Sequence, residues 1–226
     1  MRHTVAGTSA LGDGGTVRAL VCTMVYALSM DIIDLTPAHE QAIEEAAALL
    51  VEGFAAHWPD AWPDLESARA EVRTWLGPRH LCRAAVDAHG HVLGWIAGHA
   101  QYDGHVWELH PLVVRADRRG VGIGRRLVAD LEVRVGERGG LTLLVGSDDE
   151  DQMTSLGGVD LYPRVWEHIA HIRNLRGHPY AFYERCGFTI VGVVPDANGL
   201  GKPDIVLAKR VGGAAGPASG AGASPG

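Results

Sequence analysis

The stretch that most constrains the chain runs from Leu112 to Leu127 and has the sequence LVVRADRRGVGIGRRL. It begins with branched apolar residues typical of a strand, continues through a turn rich in arginine and glycine, and ends in apolar residues at helical spacing. The first turn of a helix leaves backbone N–H groups unpaired at the positive end of the dipole, and glycines let an anion approach them. The stretch therefore predicts a strand, a turn and a helix that cradle an anionic group such as a pyrophosphate.

The glycine spacing excludes two common anion-binding turns. Gly120, Gly122 and Gly124 give GxGxG, whereas a dinucleotide-binding turn has GxGxxG and a P-loop has a Lys followed by Ser or Thr. The remaining pattern is R-x-x-G-x-G, which begins at Arg119, directly after a strand and at the head of an amphipathic helix. The alternative interpretation is a glycine-rich helix start whose arginines are only solvated.

At these residues the sequence resembles the GCN5-related N-acetyltransferase (GNAT) family, whose acetyl-CoA signature is this strand, turn and helix. The resemblance covers about Met30 to Val211 and implies an α/β fold: a mostly antiparallel mixed sheet with a splay between two strands and helices on both faces. Periodicity alone predicts the same class, with the element order βααβββαβαββ. Thr36 and Pro37 are the predicted cap and first residue of the first helix, and the second helix is predicted from Asp64 through Trp75. The strand before the turn is predicted at Val106 to Val114, and a helix-like piece at Val165 to Ile172. The family implies an acetyltransferase that uses acetyl-CoA as co-substrate. No metal is expected, because His168 and His171 are three apart on a helix but nothing supplies further ligands. The CoA-binding residues implied by the resemblance are Leu112, Val113, Val114, Arg119, Gly120, Val121, Gly122, Ile123, Gly124 and Arg125.

Length, charge and cysteine content limit the class of protein further. The chain has 226 residues, a net charge of −7 and 3 cysteines, which suits one domain with tails. The cysteines are odd in number and have no metal-binding spacing, so we expect a reducing, cytoplasmic environment. The acidic balance argues against nucleic-acid binding and suits a cationic substrate, and no apolar run reaches the ~20 residues of a membrane span.

Both ends of the chain are predicted to lie outside the folded domain. We expect residues 1–29 to form a flexible leader, because the strand-like alternation begins at Met30. The domain is predicted to extend over residues 30–211. Residues 212–226 are only Gly, Ala, Pro and Ser, which bury too little apolar surface to fold, so a disordered tail is expected there.

Acetyl transfer to an amine needs a base, and the strand before the turn offers two candidates. Glu108 and His110 are two residues apart, so both project from one face of that strand. Glu108 is the first choice and His110 the second; the alternative for Glu108 is a solvated salt bridge. Pro111 lacks a backbone N–H, which predicts an edge or a bulge. The family resemblance implies a splay here, where the backbone of Leu112 and Val114 pairs with the amides of pantetheine.

The thiolate of CoA leaves more easily when it is protonated, and Tyr183 is the candidate acid. It lies in the sequence AFYERCGF, which resembles the family's short helix ending in Gly-Phe. The resemblance places this tyrosine near the sulfur of CoA as a general acid. The alternative interpretation is an aromatic side chain that packs on the sheet.

A run of carboxylates follows the next strand and is the candidate acceptor site. Sites in open α/β sheets lie beyond the carboxyl ends of strands, and carboxylates there attract polycations. Tryptophans such as Trp58, Trp62 and Trp107 are expected either to cover a cationic substrate or to belong to the core. The alternative for the acidic run is a solvated loop. The predicted substrate-binding residues are Trp58, Asp148, Asp149, Glu150 and Asp151.

Within the GNAT family, the acidic segment, the insertion at 153–175 and the stretch around Tyr183 resemble aminoglycoside 6'-N-acetyltransferases. This resemblance implies direct attack by the 6'-amine of an aminoglycoside antibiotic on acetyl-CoA in a ternary complex, and hence drug resistance. It also allows a homodimer. Two alternatives remain: a GNAT enzyme for a polyamine or a protein amine, and a non-catalytic sensor that binds an acyl-CoA or an antibiotic.

Overall fold

The computed structural model describes residues 30–212. The predicted leader, and the predicted tail apart from Gly212, lie outside the described residues. Within the described range the strands are β1 (Met30–Asp34), β2 (His80–Asp87), β3 (Val92–Gln101), β4 (Val106–Val114), β5 (Thr142–Asp148), β6 (Thr189–Val194) and β7 (Asp204–Arg210). The α-helices in the same range are α1 (Glu40–Phe54), α2 (Leu65–Thr74), α3 (Ile123–Glu137), α4 (Val165–Ala170) and α5 (Tyr180–Arg185).

The strands form one 7-stranded sheet in the order β1-β2-β3-β4-β5-β7-β6. Neighbouring strands are antiparallel except β4 and β5, which are parallel and are connected through α3. A parallel pair needs such a crossover, so the strand–turn–helix stretch supplies it. The mixed α/β class is confirmed. The predicted order counts one helix between β5 and β6, whereas the structure has α4 and α5, and α4 corresponds to the helix-like piece predicted at Val165 to Ile172.

The two faces of the sheet carry separate cores. Helices α1 and α2 cover one face, where Ile43, Leu50 and Val72 are buried with Trp95 of β3. Helix α3 covers the other face, where Leu127, Leu131 and Val135 follow the spacing that places one helical stripe on a sheet. We call these the α1–α2 face and the α3 face. Side chains that alternate along a strand therefore enter one core or the other.

A buried ion pair fixes helix α3 on the sheet. Arg83 on β2 is 3% exposed, and its Nε lies 2.6 Å from Asp130 of α3. The guanidinium also contacts Asp34 on β1 and donates to the Ile32 carbonyl. A buried arginine is tolerated only when its donors are satisfied, so these contacts hold α3, and with it the glycine-rich turn, at one position on the sheet.

Helix starts were predicted with uneven success. Thr36 and Pro37 predicted the cap and first residue of α1, but α1 begins at Glu40, after a turn in which the Thr36 backbone N–H donates to His39. The second helix is predicted from Asp64 through Trp75, and the structure has it at Leu65–Thr74 with Asp64 as the N-cap, whose carboxylate accepts the Ser67 N–H at 2.8 Å. No helix among residues 30–212 is long and apolar enough to cross a bilayer.

Candidate active site

Strands β4 and β5 are joined over only part of their length. Their pairing consists of Val106 with Thr142, Trp107 with Leu143 and Glu108 with Leu144. Both strands continue beyond these pairs, β4 to Val114 and β5 to Asp148, without pairing to each other. The sheet therefore opens into a splay that begins at Glu108, as predicted. The β5-facing edge of β4 in the splay is free to hydrogen bond to a ligand.

A bulge in β4 changes which side chains face each core. Between the pairs Gly98–Leu109 and Ile96–Leu112 the register shifts, so that β4 carries an additional residue there. Trp107 and Leu109 pack in the core of the α3 face, and after the bulge it is Val113 that packs in the core of the α1–α2 face. The bulge contains Pro111, which confirms the irregularity expected at that proline.

The glycine-rich turn has the geometry of an anion cradle. Gly122 caps α3 with a φ of 95°, in the left-handed region that favours glycine. The N–H of Arg126 bonds back to the Gly122 carbonyl at 3.1 Å. The N–H groups before it in the first turn have no earlier carbonyl to bond within the helix, and point outward at the positive end of the dipole.

Gly124 has a packing role besides the CoA-binding role expected from the sequence. A Cβ built at this position would lie 3.2 Å from the ring of Phe182 on α5. The glycine thus allows α5 to pack closely on the first turn of α3, in addition to keeping that turn open. This contact brings the short helix that carries Tyr183 to the cradle.

Several arginines surround the turn, and their partners differ. Arg119 donates from Nε to the Val114 carbonyl at 3.1 Å, so this carbonyl of β4 already has one partner. Arg115 is paired with Asp117 at 2.7 Å. Arg125 is exposed on α3 near Cys186. The basic side chains therefore remain close to the exposed N–H groups, where an anion such as a pyrophosphate would be bound.

Glu108 lies at the mouth of the splay on the α1–α2 face. Its side chain is 32% exposed, and its Oε2 is 3.6 Å from Nε2 of His99, its cross-strand partner on β3. Gln101 donates an amide hydrogen to the same carboxylate oxygen. The residue is thus neither free in solvent nor part of an arginine or lysine salt bridge, which leaves it available as a base.

His110 is on the same face as Glu108, as the two-residue spacing predicts. Its ring lies 5.8 Å from Trp75 and 6.1 Å from Trp62, and Nε2 is 3.9 Å from Glu71 of α2. Desolvation by these surroundings lowers the pKa of His110, and the neighbouring carboxylates oppose that shift. His110 therefore lies beside α2 with about half of its side chain exposed, and it also feels the charges of Glu108 and Asp148 on the splayed strands.

Tyr183 belongs to the core of the α3 face. It is 8% exposed, and its ring lies 5.7 Å from Phe188 and 5.2 Å from Phe182. Burial raises the pKa of its phenol far above the ordinary value, so the hydroxyl is protonated at neutral pH. Glu108 and Tyr183 are thus on opposite faces of the sheet, with the splayed strands between them.

The acidic segment has four different environments instead of one charged surface. Asp148 accepts from the Asn198 amide, Glu150 lies 3.2 Å from Nζ of Lys202, and Asp151 lies 2.6 Å from Nδ1 of His57. Asp149 is fully buried. The run is thus divided: Asp148 and Glu150 contact the loop between β6 and β7, Asp151 contacts His57, and Asp149 is buried.

Asp149 does not fit the substrate-binding role predicted for it. Its oxygens accept the N–H of Met153 at 2.6 Å, the N–H of Thr154 at 2.9 Å and the Thr154 hydroxyl at 2.7 Å. A buried carboxylate with these three donors organises its own loop. The sequence could not separate it from its neighbours, because burial is decided by the insertion that folds over it.

Asp204, which the sequence analysis did not select, belongs to the same face as Glu108 and Asp148. It is paired in register with Asp148, while Ile205 and Leu207 next to it enter the opposite core. Burial, followed by repulsion from Asp148 and Glu108, raises the pKa of Asp204 from 3.8 to about 6. The sequence signal that could have identified Asp204 is a charged residue at the start of an otherwise apolar strand.

Aromatic rings form one wall beside these carboxylates. The rings of Trp62 and Phe54 are 4.6 Å apart, and Trp58 packs against Phe54 at 5.7 Å. Trp58 is half-buried, next to the His57 that reaches Asp151. Trp75, missed in the sequence analysis, contacts His110, whereas Trp107 is 4% exposed and belongs to the core.

The arrangement offers partners for a pantetheine thioester. The free edge of β4 offers amide partners, and the cradle offers N–H groups and arginines for a pyrophosphate. Among residues 30–212 no group of three or more His, Cys, Asp or Glu side chains has a geometry that would hold a metal ion.

Comparison with known proteins gives one family and several related structures. Residues 43–157 match the family model described as the acetyltransferase (GNAT) family. A search of curated proteins finds no match.

The solved structures similar to this chain include three aminoglycoside acetyltransferases. An aminoglycoside 6'-N-acetyltransferase in complex with coenzyme A is 40% identical over 80% of this chain and 97% of that one, with a TM-score of 0.73. The aminoglycoside 6'-N-acetyltransferase from Enterococcus faecium has the same identity and coverage, with a TM-score of 0.72. An aminoglycoside 6'-acetyltransferase of type Ii is 34% identical over 80% of this chain and 97% of that chain, with a TM-score of 0.61.

Proposed function

Because this chain belongs to the GNAT acetyltransferase family, we propose that it transfers acetyl from acetyl-CoA to the 6'-amine of an aminoglycoside. The transfer is a direct attack within a ternary complex. The observation that carries the proposal is the position of the splay. It opens at Glu108, with the anion cradle on one side and the carboxylates of Asp148 and Asp204 on the other. Similarity to aminoglycoside 6'-N-acetyltransferases, one of them bound to coenzyme A, supports this donor and this acceptor.

The cradle and the splayed strand would bind the donor. The pyrophosphate accepts hydrogen bonds from the N–H groups at the start of α3, with the exposed arginines close by. Pantetheine extends along the free edge of β4 beyond Glu108, where its amides replace the missing β5 partner. The thioester then lies between the two splayed strands.

The open part of the α1–α2 face would bind the acceptor. Helices α1 and α2 cover β2, β3 and part of β4, and the core that they form contains no residue of β5 or β7. Asp148 and Asp204 project from that uncovered part, next to Glu108. Carboxylates of low exposure attract ammonium groups, so a polycation is the acceptor that this surface favours.

Two proton transfers accompany the acyl transfer. Glu108 takes a proton from the acceptor ammonium, directly or through one water, and the amine nitrogen attacks the acetyl carbonyl carbon. A free N–H of the splayed β4 stabilises the oxyanion. The C–S bond then breaks, and the second proton of the attacking nitrogen is relayed through the Tyr183 hydroxyl to the thiolate, so that the phenol is protonated before and after the step. The products are the acetamide and CoA.

A thiol-release assay across a panel of amines tests this function. We expect CoA release with kanamycin and tobramycin, and NMR of the product should place the acetyl group on the 6'-nitrogen. Turnover of polyamines or protein amines alone would favour the first alternative. Binding of acetyl-CoA and antibiotic without any product would favour the sensor. A control reaction without the acceptor measures any CoA that is released by simple hydrolysis of the thioester.

Three further expectations depend on this function. Expression in a susceptible bacterium should raise the inhibitory concentration of the antibiotics that are acetylated, and the Glu108→Gln variant serves as the control. Cell fractionation tests the cytoplasmic location. Sedimentation of the purified protein separates a monomer from the homodimer that the family allows.

A further inference from the structure

We propose that Gln101 is the positioning residue of the proposed base, with one amide hydrogen on Glu108 and the other on His99. This inference deepens the function above, since it rests on the assignment of Glu108 as the base. It concerns a residue on β3 that itself reaches neither the donor cradle nor Asp148 and Asp204.

The strand register brings the three side chains together. His99 is directly opposite Glu108 in the antiparallel pair, and Gln101 is opposite Val106. His99 and Gln101 are two residues apart and therefore share a face, and the Gln101 side chain reaches diagonally across to Glu108. Because the register places them, the contact does not depend on a mobile loop.

The chemistry of the three groups fixes the direction of each hydrogen bond. Nε2 of Gln101 contacts both Oε2 of Glu108 and, at 3.2 Å, Nε2 of His99. An ionised carboxylate only accepts, so the amide must donate to it. The second amide hydrogen then points to the imidazole, whose Nε2 must accept. In the proposed arrangement His99 holds its proton on Nδ1, which is buried without a partner among the described residues, and His99 and Glu108 form no ion pair.

This arrangement determines which oxygen of Glu108 can act. Gln101 occupies Oε2, so Oε1 is the oxygen left for the acceptor ammonium or for a bridging water. Without the amide, a protonated His99 at 3.6 Å would compete with the acceptor for the carboxylate. The glutamine thus orients the base and separates it from a competing cation.

Gln101 can be tested cleanly because it does not titrate. The titratable groups around Glu108 come from several elements: His99 on β3, His110 on β4, Asp148 on β5, Asp204 on β7 and Glu71 on α2. Replacing Gln101 by Met removes both donors and leaves all of these groups in place. A change in a pH profile then reports the lost hydrogen bonds.

The first experiment introduces Gln101→Met into the wild-type protein and into the Glu108→Gln variant. It measures kcat, KM and the pH profile of kcat. We expect kcat to fall about tenfold, the equivalent of one hydrogen bond to a charged group, with KM for acetyl-CoA unchanged. The acidic limb of the kcat profile should move to higher pH, because the ionised carboxylate loses a donor. In the Glu108→Gln background the same change should have little further effect.

The matched control is Gln41→Met. Gln41 on α1 also donates its amide to a glutamate, Glu45, at 2.9 Å, but on the exposed surface. We expect its kinetics to remain those of the wild type. Equal losses from Gln101→Met in both backgrounds, or a pH profile that does not move, would overturn the proposal and leave Gln101 a structural role. If Glu108→Gln keeps the wild-type kcat, the base assignment fails as well.

The second experiment needs no turnover. Long-range proton–nitrogen NMR of the imidazole distinguishes the two tautomers and the imidazolium. We expect the Nδ1–H form for His99 in the wild type at neutral pH, and loss of that preference in Gln101→Met. A protonated Nε2 in the wild-type protein would overturn the proposed hydrogen-bond direction even if aminoglycosides prove not to be substrates.

Discussion

At the scale of single residues, Glu108 and His110 share a face but have different surroundings. Glu108 is at the opening of the splay, whereas His110 lies among Trp62, Trp75 and Glu71. We expect Glu108→Gln to lower kcat about 100-fold, within the range of a lost general base, and His110→Asn to lower it less. Steady-state kinetics with both substrates measures this. A larger loss for His110→Asn would make the histidine the base.

The neighbours Asp148 and Asp149 should separate into a binding and a structural residue. Asp149→Asn replaces an acceptor of three buried hydrogen bonds and should reduce the free energy of unfolding by about 2 kcal/mol. Asp148→Asn should raise KM for the aminoglycoside and leave KM for acetyl-CoA unchanged. Urea unfolding and kinetics measure the two effects, with the exposed Asp31→Asn as control. A raised KM without destabilisation in Asp149→Asn would contradict this division.

Asp204 should make stability depend on pH in an unusual direction. Its pKa rises from 3.8 to about 6 on folding, so the folded state binds more protons between those values. The free energy of unfolding therefore falls as pH rises through this window, and the contribution is fully present only below the unfolded value. We expect Asp204→Asn to raise Tm relative to wild type more at pH 7.5 than at pH 4. An equal change at both values would contradict the raised pKa.

At the scale of elements, a glycine at the start of α3 can be compared with a glycine just after its end. Gly122 and Gly139 flank this helix with φ values of 95° and 81°, and a Cβ at either would meet nothing within 4 Å. Alanine at each position should lose comparable stability through backbone strain. We expect only Gly122→Ala to raise KM for acetyl-CoA, because it changes the first-turn N–H groups. Equal KM values for acetyl-CoA in both variants would show that the cradle does not bind the donor.

Elements whose signals are local were predicted best. Strand β4 was predicted to the residue, Val106 to Val114, because turns on both sides and branched residues define it. The start of α1 was wrong, because His39 supplies the contact that closes the turn after Thr36. The helix-like piece predicted at Val165 to Ile172 is present as α4, Val165–Ala170, although α4 has no buried residue.

At the scale of the whole molecule, the sheet topology places basic and acidic groups on different sides of the splay. The basic turn is on one side of the splay in a chain of net charge −7, and the acceptor face carries Glu108, Asp148 and Asp204. We expect kcat/KM for aminoglycosides to fall as salt increases, more steeply for acceptors with more ammonium groups. Kinetics over a KCl series measures the slopes. Slopes independent of acceptor charge would contradict long-range attraction.

The sequence by itself determined the class of fold and the contiguous residues of the proposed donor site, and only the tertiary structure brought together the residues of the proposed acceptor site. The cradle is built from one contiguous stretch, whose N–H groups, glycines and arginines are positioned by local helix geometry. The residues around Glu108 come from β3, β5 and β7, and meet only through strand register. Because a slip of one residue would turn Asp204 or Gln101 to the opposite face, no local pattern could select them. Burial by the insertion likewise separated Asp149 from Asp148.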